Sequence, residues 1–253
     1  MRLDEVRAIV TGAAGGLGRH FVLQLLAAGA QVAACDVNWR GLEALKAEPK
    51  DGNARLVTAA LDVSQEPAVA AFVSETAAQF GGINTLVNNA GVLRDGLLIK
   101  DEAGWMKKLP MAQWKQVLDV NLTGSYLFAR EVAADMLQRQ ARPGVIVNIS
   151  SLSRSGNPGQ SAYAASKAAL DACTRTWALE LAAHGIRVGG IAPGVIDTPM
   201  LKHISDDAMR RILAEVPLQR IGTPHEIWLA LRFIIECDYF TGRVIEVDGG
   251  SDF

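Results

Sequence analysis

Thr11-Gly12-Ala13-Ala14-Gly15-Gly16-Leu17-Gly18 is the stretch that decides the fold. The apolar run Arg7–Thr11 before it reads as a strand, and residues 16–28 after it read as a helix. In that helix Leu17, Phe21 and Leu25, with Val22 and Leu26, recur at i, i+4 and make one buried stripe. Gly29 ends the helix as a left-handed residue. Glycines 12, 16 and 18 are spaced Gly-x-x-x-Gly-x-Gly. Gly12 permits a sharp turn, Gly16 removes a Cβ where backbone must approach a phosphate, and Gly18 lets helix pack closely on strand. The helix start at Gly16-Leu17 offers free N–H groups and a partial positive charge to a pyrophosphate. A glycine-rich turn alone is a weak signal; its place between a strand and an amphipathic helix strengthens it.

Outward from this turn the pattern repeats. Strands are predicted at 31–35, 56–60, Thr85–Asn88, 145–149, 186–191 and Val244–Val247. Helices are predicted at Glu66–Phe80, 111–139, 160–183 (closed by Gly185) and Pro224–Glu236. About seven βα units in series predict an α/β fold: a single-domain, Rossmann-type, doubly wound parallel sheet over residues 1–253, with helices on both faces. Segments 92–110 and 198–218 read as insertions at the carboxyl edge of the sheet, where ligands bind in such folds.

Composition narrows the function. The chain has 253 residues, 49% of them hydrophobic, and 24 glycines, which suits a sheet buried between helix layers. A net charge of -2 with no basic stripe argues against nucleic acid. No apolar run approaches the roughly 20 residues that cross a bilayer, and the N-terminus lacks a signal-peptide core. Cys35, Cys173 and Cys237 form no Cys-x-x-Cys pair, and a reducing cytoplasm is the expected location. His20, His184, His203 and His225 show no metal-ligand spacing, so no metal is expected.

Asp36 ends the second strand, where its carboxylate can accept hydrogen bonds from both adenosine ribose hydroxyls and repel a 2′-phosphate. Ala13, Ala14 and Gly15 offer no cation to pair such a phosphate, so NAD(H) is favoured. Arg40 keeps NADP(H) open. Asp62 and Val63 stand where they can meet an adenine edge, although Asp before a helix is also a common cap. Asn89, Ala90 and Gly91, after Asn88, read either as a plain turn or as a small-residue approach for a cofactor ribose.

Tyr163 and Lys167 are four apart on one helix and share a face. A phenol near pKa 10 is a poor acid or base at neutral pH, and a Lys cation beside it is expected to lower that value. Ser150 and Ser151 close the strand 145–149, so a hydroxyl there can hold a substrate carbonyl oxygen. Asn121 falls mid-helix, where Asn is unfavourable, a misfit that points to function.

These pieces, with Asn148–Ser151, Pro193-Gly194, Ile221–Pro224, Thr241-Gly242 and Val247–Gly250, resemble the short-chain dehydrogenase/reductase family over essentially the whole chain. Their order and spacing carry the resemblance. It implies a catalytic tetrad of Asn121, a serine, Tyr163 and Lys167. Tyr163 moves the hydroxyl proton, Lys167 holds the nicotinamide ribose, the serine orients the carbonyl, and Asn121 holds a water leading to solvent. Pro193, Gly194 and Thr198 then meet the nicotinamide end of the cofactor. The family's usual Ser-to-Tyr spacing selects Ser150, whereas aligning the strand selects Ser151. We prefer Ser151, because strand register is fixed by the sheet and loops absorb deletions.

Gly156–Gln160 and Arg94–Leu98 resemble the β-ketoacyl carrier-protein reductase branch, which implies a 3-oxoacyl thioester substrate and usually NADPH. Asp36 runs against that cofactor, and residues 99–111 look longer than in that branch, enough for a small hairpin over the pocket. NAD-linked 3-hydroxyacyl-CoA, hydroxysteroid or polyol dehydrogenases stay open, as does a dinucleotide-binding regulator without turnover. The regulator has no use for Asn121, Tyr163 and Lys167 together. Helices 111–139 and 160–183 are apolar on more than one face, and the family is mostly tetrameric, so a homotetramer is expected.

Overall fold

The computed structural model describes residues 1–48, 55–199, 201 and 206–251. Nine strands follow in chain order: β1 (Arg7–Thr11), β2 (Gln31–Asp36), β3 (Arg55–Ala60), β4 (Thr85–Asn88), β5 (Ile99–Glu102), β6 (Trp105–Lys108), β7 (Gly144–Ile149), β8 (Ile186–Pro193) and β9 (Val244–Val247). The helices are α1 (Gly16–Ala27), α2 (Trp39–Lys46), α3 (Glu66–Phe80), α4 (Met111–Leu118), α5 (Gly124–Gln138), α6 (Ser161–Leu181), α7 (Asp206–Ala214) and α8 (Pro224–Glu236). Seven strands form one parallel sheet in the order β3-β2-β1-β4-β7-β8-β9. The order reverses direction between β1 and β4, which opens a crevice above their carboxyl ends.

The alternation of side chains along each strand sorts the core into two layers. On β1, Val10 faces Phe21, Leu25, Leu42 and Leu231 on one side. Ile9 faces Phe72, Phe128 and Val132 on the other. β7 and β8 are buried along their whole length, as a sheet covered on both faces requires. Gly29 (φ +86°) and Gly185 (φ +70°) take the left-handed conformations expected of them after their helices. A Thr223–Glu226 capping box starts α8. At its other end the buried Arg187 guanidinium on β8 donates to the Ile234, Ile235 and Phe240 carbonyls at 2.6, 2.9 and 3.1 Å. The Ile234 and Ile235 carbonyls are groups a helix terminus leaves without partners.

The structure departs from the sequence pattern in three places. The helix expected over 111–139 is interrupted by a π-turn at Asp119–Thr123, closed by a Gly124 N–H to Asp119 carbonyl bond. Helices α2 and α7 were not anticipated; α7 lies in the 198–218 segment, of which residues 200 and 202–205, His203 included, lie outside the described residues. β5 and β6 form the small hairpin, turning through Ala103 and Gly104, both at positive φ, but all eight strand residues are exposed.

Candidate active site

The glycine turn is shaped by three different constraints. Gly12 (φ +65°) makes the turn itself. A Cβ on Gly18 would lie 2.2 Å from the Gly12 carbonyl oxygen, so only glycine lets α1 pack there. Gly16 (φ +52°) has open space: the nearest atoms to a Cβ would be Thr198 at 3.8 Å and Pro199 at 3.9 Å. No side chain caps the start of α1, leaving its first-turn amides for an anion. The cradle therefore fits a phosphate-bearing cofactor, and Thr198 stands at its rim. Leu17 packs against the core beneath.

Neighbouring strands hold this turn. The Asn89 amide donates to the Thr11 and Gly12 carbonyls, while the Thr11 hydroxyl accepts from the Asn89 and Ala90 N–H groups. Asp36 accepts from the Ala14 N–H through Oδ2 and from the Asn38 N–H through Oδ1, both at 2.9 Å. Asn38, rather than Asp36, caps α2. Arg40 lies over the Trp39 ring, 5.7 Å from its centroid. Asp62 turns onto Ser64, accepting from its N–H and hydroxyl, and Val63 is buried against Gly124. Gly194 can have no Cβ because Asp248 Cα stands 2.7 Å from that position.

Tyr163 and Lys167 rise from the first turns of α6, and Ser151 comes from the end of β7. The Lys167 ammonium is buried, donates to the Ile149 carbonyl at 2.7 Å, and lies 5.7 Å from the Tyr163 ring centroid. Burial pulls the Lys167 pKa down to about 8, and the Asp171 charge opposes this. The Tyr163 pKa is raised, first by burial and then by the Asp95 charge; the Ser151 hydroxyl beside the phenol pulls the other way. The expected lowering by Lys167 is therefore not what this site shows. Desolvation sets the direction, and the ammonium is turned to a backbone carbonyl.

The two serines separate. Ser151 neighbours the phenol and accepts from the Ser153 N–H at 3.1 Å. Ser150 points away, to the Lys167 carbonyl and the Asp171 carboxyl. Asn121 is fully buried in the π-turn. Its side chain clamps Val92 from both sides, accepting from its N–H at 2.8 Å and donating to its carbonyl at 3.1 Å. Its own carbonyl accepts from the Ser125 hydroxyl. A Cβ on Gly91 would lie 3.6 Å from both Asn121 Oδ1 and Lys167 Nζ, so the three residues surround one small space.

Several contributors were missed. Ser166 links Asn121 to the Tyr163 carbonyl. Asn88, paired in register with Asn148, starts a buried chain of hydrogen bonds that runs to Thr174. Two asparagines ending adjacent apolar strands are a legible signal for that chain. Asp95 carries no such signal, because its segment reaches the site through a Gly96 N–H to Gly159 carbonyl bond. Among the described residues no cluster of His, Cys, Asp and Glu could hold a metal, and no helix is long and apolar enough to cross a membrane.

The family model described as enoyl-(acyl carrier protein) reductase matches residues 12–252. The 3-oxoacyl-(acyl-carrier-protein) reductase of Thermotoga maritima is 38% identical over 253 residues, covering 99% of each chain. The enzyme of that name from Staphylococcus epidermidis is 37% identical over 96% of this chain and 97% of its own. Among solved structures, a putative short-chain alcohol dehydrogenase from Sinorhizobium meliloti superposes with TM-score 0.88 at 33% identity, over 99% of this chain and 98% of that one. Levodione reductase gives 0.86 at 32%, over 98% and 97%. The chain belongs to the short-chain dehydrogenase/reductase family of NAD(P)-dependent oxidoreductases, which act on alcohol and carbonyl groups.

Proposed function

We propose that the chain reduces the keto group of a 3-oxoacyl thioester with NADH. The observation that carries this is the half-buried Tyr163 phenol, flanked by Ser151 and Lys167 at the sheet's carboxyl edge. That phenol keeps its proton at neutral pH, and reduction draws it off as charge develops on the carbonyl oxygen beside Ser151. Identity of 38% and 37% to two 3-oxoacyl-(acyl-carrier-protein) reductases over nearly the whole chain supports the thioester. NAD-linked hydroxyacyl-CoA, hydroxysteroid or polyol oxidation is the second reading, and the likeness to a short-chain alcohol dehydrogenase supports its alcohol-oxidising direction.

A bound nicotinamide supplies the hydride. Ser151 fixes the carbonyl oxygen toward Tyr163, which gives up its proton as the alcohol forms. Lys167 holds the ribose and steadies the resulting phenolate. Asn121, through its hold on Val92, keeps the pocket wall beside Lys167 in place and holds a water on the route to solvent. The uncapped start of α1, with Gly12, Gly16, Leu17 and Gly18, takes the pyrophosphate. Asp36 takes the adenosine ribose, Asp62 and Val63 the adenine, Asn89, Ala90 and Gly91 the second ribose, and Pro193, Gly194 and Thr198 the carboxamide. Asp36 favours NADH because its carboxylate is held at the end of β2 by two amides, while Arg40 rests on Trp39.

Exposed Tyr126 and Leu179 on α5 and α6, and Leu229 and Phe233 on α8, support a homotetramer; the cytoplasm is the location expected for it. Light scattering tests the assembly, and a mass of one chain overturns it. The test of function is titration with NADH and NADPH, then absorbance with an acetoacetyl thioester, beside Tyr163→Phe. Tighter NADH binding and oxidation lost in the variant are expected. Preference for NADPH sinks the Asp36 argument and points to Arg40; NADH binding without turnover moves the substrate to steroids, sugars or polyols.

A further inference from the structure

Beneath the tyrosine–lysine pair lies a second charged group that the reaction does not touch. Asp171 stands one helical turn beyond Lys167 on α6, and its side chain is 20% exposed. Its Oδ2 pairs with Arg154 Nε at 2.9 Å, and Arg154 pairs in turn with Glu246 on β9. Ser150 lends its hydroxyl as a neighbour of the carboxyl. Asp171 Oδ1 and Arg154 Nη1 are both buried without hydrogen-bond partners. Burying an incompletely satisfied ion pair costs stability, and an apolar pair of that size is often as good or better for the fold. The placement calls for another reason.

We propose that Asp171, held by Arg154, is a positioning residue that keeps the buried Lys167 ammonium protonated. The proposal rests on the role given above to Lys167. The groups facing that ammonium are the Tyr163 ring on its own helix, the Ile149 carbonyl from β7 and the uncharged Asn121 side chain from the π-turn. Each can accept a hydrogen bond or attract a cation weakly; none carries a compensating charge. Asp171 is the anion whose charge acts on Lys167, against desolvation that favours the neutral amine. Arg154 and Glu246 are the charged groups facing Asp171 from the rest of the fold. Burial raises the Asp171 pKa, and the Ser150 hydroxyl and then the paired Arg154 guanidinium pull it back toward the ionised form. Ser150 completes the arrangement, so the two adjacent serines serve different members of the site: Ser151 the phenol, Ser150 the carboxyl below the lysine.

The test reads Lys167 directly. Protein grown with lysine 13C-labelled at Cε is titrated by NMR, and Lys167 is assigned by the signal lost in Lys167→Met. In the wild type this signal is expected to titrate near pH 8. In Asp171→Asn its proton affinity is expected to fall about tenfold, the effect of removing one nearby opposite charge. The alkaline limb of turnover is expected to move down by the same factor. Asp171→Glu restores both. Should Asp171→Asn fail to fold, the paired variant Arg154→Gln/Asp171→Asn removes both charges together and leaves neither stranded, with the same shift expected. An unchanged Lys167 titration overturns the proposal, as does a loss of turnover equal at every pH, which assigns Asp171 to the fold alone. The titration needs no substrate. Absence of turnover in the wild type therefore sinks the reductase reading and leaves this result standing on its own.

Discussion

The Asn89 side-chain amide donates to two successive carbonyls, Thr11 at 2.9 Å and Gly12 at 3.1 Å, so the end of β4 fixes the turn that leaves β1. The cradle for the pyrophosphate is thus held across the crevice from the neighbouring strand as well as by its own glycines. Asn89→Ala strands both carbonyls, each costing about 1–3 kcal/mol if it stays dry. The expected outcome is a lower melting temperature and NADH binding weakened by about tenfold, read by fluorescence, with kcat at saturating cofactor nearly unchanged. A fall in kcat with normal binding would move Asn89 from the cofactor side to the reaction.

Two glycines of one motif should fail differently. Gly18→Ala drives a Cβ into the Gly12 backbone oxygen, and backbone cannot swing aside as a side chain can. A loss of about 3 kcal/mol is expected, the upper end for overpacking. Gly16→Ala meets no atom closer than 3.8 Å but must keep φ at +52°. That costs about 1–2 kcal/mol of backbone strain and places a methyl where phosphate approaches. Circular-dichroism melts should rank Gly18→Ala as the less stable. NADH titration should show Gly16→Ala folded yet weak in binding. Equal stability in the two variants contradicts this division.

What could be read in advance followed from local rules. The stripe on α1 and the strand-turn-helix context located the cofactor edge without any long-range information. Asn121 stood out as a residue that a regular helix disfavours, and the π-turn at Asp119–Thr123 is the physical form of that misfit. Strand register set Ser151 apart from Ser150, and the two hydroxyls do diverge, Ser151 lying beside the phenol and Ser150 turning to the Lys167 carbonyl. Helix α2 escaped notice because Gly41 sits in its first turn, a helix-weakening residue. Its reason is tertiary: a Cβ there would meet Ala14 Cβ at 2.7 Å. The direction of the Tyr163 shift was illegible for the same kind of reason. It depends on depth of burial and on Asp95, brought in from a distant segment.

The serines give a direct kinetic comparison. Ser151→Ala removes the hydroxyl beside the phenol, and a loss of roughly 100-fold in kcat/KM is expected, as for one donor at a developing charge. Ser150→Ala alters the surroundings of Asp171 instead, so a loss under about tenfold at the plateau is expected, with a displaced pH profile. Initial rates across pH 6–9 with one thioester decide the matter. A larger loss for Ser150→Ala would mean that loop spacing, and not strand register, sets the site.

Lys167 trades stability for function, and the sign can be worked through. Its pKa is about 8 folded and near 10.5 unfolded, so between these values the unfolded chain binds more protons. Stability therefore rises with pH across that interval, and the cost of burying the cation is borne in full below pH 8. A shift of that size corresponds to about 3 kcal/mol at neutral pH. Lys167→Met removes the buried charge and strands the Ile149 carbonyl, which returns about 1 kcal/mol. The variant should be inactive yet more stable than wild type by about 2 kcal/mol at pH 7 in urea unfolding. The advantage should shrink as pH rises from 8 toward 10. A variant no more stable than wild type at pH 7 would show that the ammonium is well solvated by its neighbours, Asp171 foremost, and that the lysine is held at no cost to the fold.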